Sequence, residues 1–232
     1  ATVSRALNDS DRVSLKTKEL VLKTAKELNY QQNALALALK SGRTFNVGVV
    51  VPYINHTFFA SVIRGIEEEL EPKGYHVIIC QTHENVESEA KQIKTLLNTH
   101  IDGIFISVSK TTESVKHIEE VRDEGVPLIF FDRKKDISGV SSVTINDFEG
   151  AYEATTHLIQ QGYTNIAHIG GDHKLEIYKH RYDSYIAALK AHNLPVNDDL
   201  LLQVNSTVEA GIEAVKSLLK NNISFDAIFS AS

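Results

Sequence analysis

The sequence predicts an α/β protein whose parallel sheets are covered by helices, preceded by a short all-helical segment. Three observations lead to this. Apolar runs rich in Val and Ile start every 25 to 29 residues over the first four strands, at 46, 75, 101 and 126. The stretches between them have the length and mixed polarity of amphipathic helices. The character of the chain also changes sharply near residue 45. Continuous apolar strands, rather than alternating ones, are what a sheet buried on both faces requires, and helical crossovers are what parallel strands need.

The front segment has no glycine before Gly42. TVSRALN (2–8) reads as a short helix. In LKTKELVLKTAKELNY (15–30), Ser14 is placed to cap the helix, and Val21, Ala25 and Leu28 fall at i, i+4 and i+7 on one face. The first strand series is NVGVVVP (46–52), YHVIICQ (75–81), IDGIFIS (101–107) and VPLIFFD (126–132). A second series follows: NIAHIGG (165–171), LLLQV (200–204) and DAIFSA (226–231). The chain starts without Met and ends one strand into a repeat, so it is expected to be cut at both ends. Neither low-complexity sequence nor a Gly/Ser-rich linker interrupts it.

With 232 residues, 42% of them hydrophobic and 23% charged, the chain has material for one to two domains. No run of eighteen apolar residues and no charged-apolar leader occurs, so neither a membrane span nor an export signal is expected, and the cytoplasm is the expected location. The single Cys80 lies in an apolar strand and is expected to be a buried thiol rather than a nucleophile. The net charge of −6 is split unevenly. Residues 1–45 carry eight Lys/Arg against four acids, a balance of +4, which leaves −10 for the remainder. A basic module joined to an acidic body is the pattern of a polyanion-binding front end, although a solvated basic face has the same composition.

Parallel α/β sheets bind ligands at the carboxyl ends of their strands. The polar and aromatic residues there are Tyr53, Asn55, Phe58 and Phe59 after the first strand, Ser107 after the third, and Asp132 with Arg133 after the fourth. A Gly170-Gly171-Asp172 turn precedes a helix that carries Arg181. A carboxylate, a guanidinium fork and aromatic rings suit a small polar ligand. The same positions are also compatible with an exposed Asp–Arg loop pair and with Phe58 and Phe59 in the core.

GxGxxG, GxxxxGK[ST], GxSxG and HExxH are all absent, so neither an enzyme nor a cofactor is expected. Two glycines at 170 and 171 without the rest of a fingerprint are weak support for a phosphate cradle. The ten histidines lack metal-ligand spacing: His168 and His173 are five apart, and His83 stands alone beside Glu84, so no metal is expected.

TVSRALN, RVSLKTKELVLKTAKELNY, QQNALALALKSGRT and NVGVVVP, in that order, resemble the LacI/GalR (lactose-repressor) family of bacterial transcription regulators. FFASVIRGIEEELEPKGYHVIIC, IDGIFIS, VPLIFFDR, GYTNIAHIGGD and RYDSYIAAL extend the resemblance over the whole chain. It implies a partial helix-turn-helix DNA-binding domain with a hinge helix over 1–45. It also implies a two-lobed, periplasmic-binding-protein-like core, with one lobe over 46–145 and an incomplete second lobe over 146–232.

By the resemblance, residues 2–8 are most of a recognition helix. Arg5 reads a base and Ala1 faces the groove, while Thr2, Ser4, Asn8, Ser14, Thr17, Tyr30 and Asn33 hold phosphates. In the hinge, Ala36 and Leu39 enter the minor groove, with Leu39 as a wedge. In the core, Tyr53, Asn55, Phe58, Phe59, Ser107, Asp132, Arg181 and Ser232 contact the effector. The sequence departs from the family pattern at Leu37, where Arg is usual; at Asn146-Asp147, which reverses the usual pair; at Ser184 for Gly; and at Ser232 for Asn.

The implied protein is a transcriptional repressor, a cytoplasmic homodimer on double-stranded operator DNA. A sugar or related metabolite bound between the lobes controls it. The alternatives are a soluble sugar-binding protein without DNA activity and an α/β enzyme.

Overall fold

The computed structural model describes residues 2–7, 11–30 and 42–232. The chain divides into two compact units, Ala1–Phe45 and Asn46–Ser232.

In the first unit, α1 (Thr2–Leu7) and α2 (Leu15–Glu27) pack through small apolar residues, with Ala6 and Val13 buried between them. Ser14 caps α2 as its sequence position predicts: its Oγ accepts from the Thr17 amide at 3.4 Å. The expected apolar face is shorter than i, i+4, i+7. Val21 and Ala25 are half-buried, whereas Leu28 is the C-cap, has left the helix at φ −87° and ψ 1°, and is 73% exposed.

The second unit holds two parallel sheets. The first has the order β2-β1-β3-β4-β5, from β1 (Asn46–Val51), β2 (His76–Gln81), β3 (Gly103–Ile106), β4 (Leu128–Phe131) and β5 (Ser141–Val143). The second is β7-β6-β8, from β6 (Ile166–Gly170), β7 (Leu201–Gln203) and β8 (Ala227–Ser230). The crossovers are α3 (Thr57–Leu70), α4 (Val86–Asn98), α5 (Lys116–Asp123), α6 (Asp147–Gln160), α7 (Glu176–Ala191) and α8 (Val208–Lys220).

Both faces of the first sheet are buried at its centre, which explains the unbroken apolar runs. Val50, Ile104, Ile106 and Phe130 pack on Ile93, Leu96 and Ile118. Val49, Val51 and Phe131 pack on Phe59 and Ile63. In the second sheet, Ile166 and Phe229 pack on Tyr185 and Leu189, and the Tyr185 hydroxyl donates to the Ile166 carbonyl at 2.7 Å.

One expectation is corrected and two points are added. The run 75–81 is not covered on both faces: β2 is an edge strand, leaving Ile78 36% and Ile79 43% exposed, although Cys80 is buried and its thiol is pushed up by burial. The three-residue, exposed β5 gives no apolar signal and was not expected at all. The glycine pair does not carry an empty cradle. A Cβ at Gly170 would collide with the His168 ring and one at Gly171 with the Tyr178 ring, so close side-chain packing accounts for both. Among the described residues no helix is long and apolar enough to cross a membrane.

Candidate functional site

At the carboxyl ends of the strands, between the two sheets, lies a cavity of about 800 Å³. That is well inside the ~300–1,000 Å³ range of small-molecule sites. Tyr53, Phe58, Phe59, Phe131, Asp132 and Arg133 line it from the first sheet's side. Asp147, Ile177, Tyr178, Arg181, residues 205–207 and Ser232 line it from the second.

Asp132 follows β4 with φ 59°, a left-handed conformation that Asp tolerates better than most residues. Its carboxylate accepts from Ser107 Oγ at 3.3 Å, and Arg133 Nε lies 3.8 Å away. Burial raises the Asp132 pKa, and the Arg133 charge, the Ser107 bond and the more distant Arg181 oppose that rise only in part.

Arg181 sits one turn into α7 and is fixed from two directions. Its Nε and Nη2 reach Asp147 Oδ1 at 2.8 and 2.7 Å, and its Nη1 donates to the Ala231 carbonyl at 2.7 Å. Asp147 opens α6 behind its N-cap Asn146, whose Oδ1 accepts from the Glu149 amide at 3.2 Å. The reversed order Asn146-Asp147 therefore has a physical role: Asn caps, and Asp clamps the arginine. Ser184, where the resemblance leads one to expect Gly, is buried and its hydroxyl donates to the Phe148 carbonyl near the start of α6.

Behind the first sheet's rim is a second polar network. Arg133, buried, donates through Nη1 to both Glu84 carboxylate oxygens at 2.9 Å. The Lys110 amide donates to Glu84 Oε2 at 2.8 Å, and its ammonium lies 3.8 Å from Oε1. The loop bearing Lys110 is pinned from below by the fully buried Glu89, which accepts from the Ser109 amide at 2.6 Å and the Thr112 hydroxyl at 2.9 Å, and pairs with His117 at 2.8 Å. Burial alone would raise the Glu89 pKa, but these bonds, led by His117, hold it below the usual carboxylate value.

Of the residues singled out from sequence, the structure brings Tyr53, Phe58, Phe59, Asp132, Arg133, Arg181 and Ser232 to this one cavity. Phe59 is also core, 4% exposed and edge-on to Phe131. Asn55 is exposed on the same loop and does not line the cavity, and Ser107 is completely buried, touching Asp132 rather than the space. Sequence reasoning assigned no site role to Glu84, Lys110, Asp147, Tyr178 or residues 205–207. Asp147 was noted only in the reversed pair Asn146-Asp147, and Tyr178 left a signal one helical turn before Arg181.

In the first unit, Thr2, Ser4 and Arg5 are exposed along α1, and Tyr30 is 56% exposed. Ser14 and Thr17 share a hydroxyl bond of 2.9 Å. Ala1, Asn8, Asn33, Ala36 and Leu39, and with them the expected hinge helix, lie outside the described residues. Among the described residues no cluster of three His, Cys, Asp or Glu side chains is placed to hold a metal ion.

Residues 44–232 match the family model for periplasmic binding proteins and the sugar-binding domain of the LacI family, and residues 1–33 match that for bacterial regulatory proteins of the lacI family. Catabolite control protein A of Priestia megaterium is 34% identical over 99% of this chain and 69% of its own length. The HTH-type transcriptional regulator DegA of Bacillus subtilis is 32% identical over 95% of this chain and 66% of its own. The chain thus spans about two thirds of these relatives. The transcriptional regulator CelR–cellobiose complex is similar with a TM-score of 0.69 at 27% identity, covering 99% of this chain and 69% of that one. The lac repressor dimer bound to operator and the anti-inducer ONPF shares the fold, with a TM-score of 0.84 at 21% identity over 99% of this chain and 68% of that one. With both family models matched, over residues 1–33 and 44–232, the chain belongs to the LacI family of bacterial transcriptional regulators.

Proposed function

We propose that this protein represses transcription by binding double-stranded operator DNA through α1 and the residues around it, and that a sugar-like effector in the cavity sets its operator affinity. One observation carries the effector half of the reading: Asp132 and Arg181 come to one cavity from opposite sheets. A ligand that bonds both holds the two lobes, 46–145 and 146–232, in one arrangement and so selects a state of the whole core. Hydroxyl groups suit a carboxylate acceptor and a guanidinium donor, and the exposed rings of Tyr53 and Phe58 suit the apolar face of a sugar ring. The protein acts in the cytoplasm as a homodimer, because a two-fold protein reads two half-sites of a near-palindromic operator.

Two substitutions test the two halves. Arg5→Ala is expected to cost about 1–3 kcal/mol on the cognate operator and little on random DNA, since only the specific complex uses a bidentate guanine contact. Fluorescence anisotropy on both DNAs checks it, and equal losses would remove Arg5 as the base reader. Asp132→Asn is expected to weaken effector binding roughly tenfold to a hundredfold, the loss of charge-assisted bonds worth about 1.5–3 kcal/mol, while effector-free operator binding persists. Titration calorimetry gives the affinity; an unchanged value would place the ligand elsewhere.

A further inference from the structure

We infer that the cavity selects an uncharged polyhydroxylated effector over a phosphorylated or carboxylated one, and that Glu84 sets this choice. The inference rests on the reading of this cavity as the effector site.

Six charged side chains line the cavity: Glu84, Lys110, Asp132, Arg133, Asp147 and Arg181. They are three acids and three bases, and every base has an acid as partner, although the buried Nε of Arg133 makes no hydrogen bond. Arg133 gives its Nη1 to both oxygens of Glu84 at 2.9 Å, and Lys110 holds the same carboxylate through its amide at 2.8 Å and its ammonium at 3.8 Å. Arg181 is bound to Asp147 at 2.7–2.8 Å. The least compensated charge is the carboxylate of Asp132, bonded by one hydroxyl at 3.3 Å and facing the Arg133 Nε only at 3.8 Å, with burial still raising its pKa. An anionic ligand would therefore meet no uncommitted cation and one under-compensated carboxylate, in a cavity whose remaining walls are largely aromatic and aliphatic. A hydroxyl can donate to Asp132 without disturbing either ion pair.

The backbone supports a dedicated role for Glu84. His83 and Glu84 both adopt left-handed conformations, at φ 54° and 58°. Two successive non-glycine residues there are uncommon and persist only when surrounding contacts hold them. The turn brings Glu84 to Arg133, which lies 49 residues further along the chain. Removing the Glu84 charge would leave Lys110 without its acid and Arg133 with only Asp132, 3.8 Å away, and two under-compensated cations on one wall are what a phosphate group binds. The volume, about 800 Å³, also accommodates more than a single sugar ring, so disaccharides are the appropriate probes.

The test uses the full-length protein and titration calorimetry with cellobiose, maltose and lactose and the 6-phosphate of each. The neutral member of any binding pair is expected to bind at least tenfold more tightly. Glu84→Gln is expected to shrink that ratio tenfold or more, and Glu84→Asp, which keeps the charge, to preserve the preference. The ratio in the unsubstituted protein decides the charge inference even if Glu84→Gln does not fold. A 6-phosphate that binds as tightly as its parent sugar, or no binding by any neutral sugar, overturns it. A neutral preference that survives intact in Glu84→Gln overturns the role of Glu84. A phosphorylated sugar whose binding needs Arg181 overturns only the charge inference, leaving the cavity as the effector site. Operator binding that no ligand of either class alters overturns both.

Discussion

Arg181→Ala is expected to cost the core about 2–3 kcal/mol of stability and to weaken effector binding by tenfold to a hundredfold. The two losses have different origins. The stability loss arises because Asp147, with its side chain only 7% exposed, is left as a buried carboxylate without its cation, and the Ala231 carbonyl loses its donor. Breaking a buried ion pair from one side costs about 3–5 kcal/mol when both groups are fully buried. Arg181 is 23% exposed, so water partly replaces it and the lower figure applies. The affinity loss arises because the guanidinium is the second sheet's principal charged donor at the cavity.

A double-mutant cycle separates the two effects. Asp147→Ala alone should destabilise the core, and the pair Arg181→Ala with Asp147→Ala should recover part of the stability but none of the affinity. Urea unfolding and effector calorimetry on the four proteins make the measurement. Additive stability losses would mean that the pair contributes no coupling. Recovery of affinity in the double variant would mean that Arg181 acts on the effector only by holding Asp147.

The second large effect is a loss of stability on mild acidification. His168 is 2% exposed at the centre of the second sheet, its ring within 5.1–5.6 Å of the rings of Tyr182, Tyr185 and Phe229. Its Nε2 is buried without a hydrogen-bond partner. Burial, assisted by the nearby His173, lowers its pKa from 6.5 to about 4. The unfolded chain therefore binds a proton below pH 6.5 that the folded protein refuses until about pH 4. Stability is complete above pH 6.5 and falls as the pH drops through the window from 6.5 to 4. At about 1.4 kcal/mol per pH unit the loss reaches about 3 kcal/mol, a large share of the ~5–15 kcal/mol that holds a typical domain together. His168→Leu should flatten this part of the profile and cost little at pH 7, because the Nε2 it removes has no partner. Thermal unfolding from pH 4 to 8 checks it; an unchanged acid limb would assign the loss to carboxylates such as Glu89.

The identity of the strands was legible because a strand buried on both faces needs an apolar residue at every position, and 46–52, 101–107 and 126–132 have one almost throughout. The run at 75–81 has the same composition, yet it forms an edge. Hydrophobicity reports that a segment is a strand, while its neighbours are set by crossovers that no local pattern records. In the opposite direction, β5 has no apolar run because its side chains are exposed, so nothing in Ser141–Val143 marks a strand.

The site divides in the same way. Asp132 and Arg181 were visible because strand ends and helix starts in a parallel α/β chain face the ligand crevice, a consequence of chain direction alone. Ser107 occupies such an end as well, but its side chain points into the protein and serves Asp132, a distinction set by the two-residue alternation of the strand and by packing behind it. Glu84 and Arg133 are 49 residues apart, and Asp147 and Arg181 are 34 apart. The sequence by itself determined the class of fold, the family and the polar groups that the strand ends offer. Which of those charges face the cavity and which are neutralised by one another was decided only by tertiary structure, because electrostatic pairing depends on distances of a few ångströms between residues that the chain separates by dozens of positions.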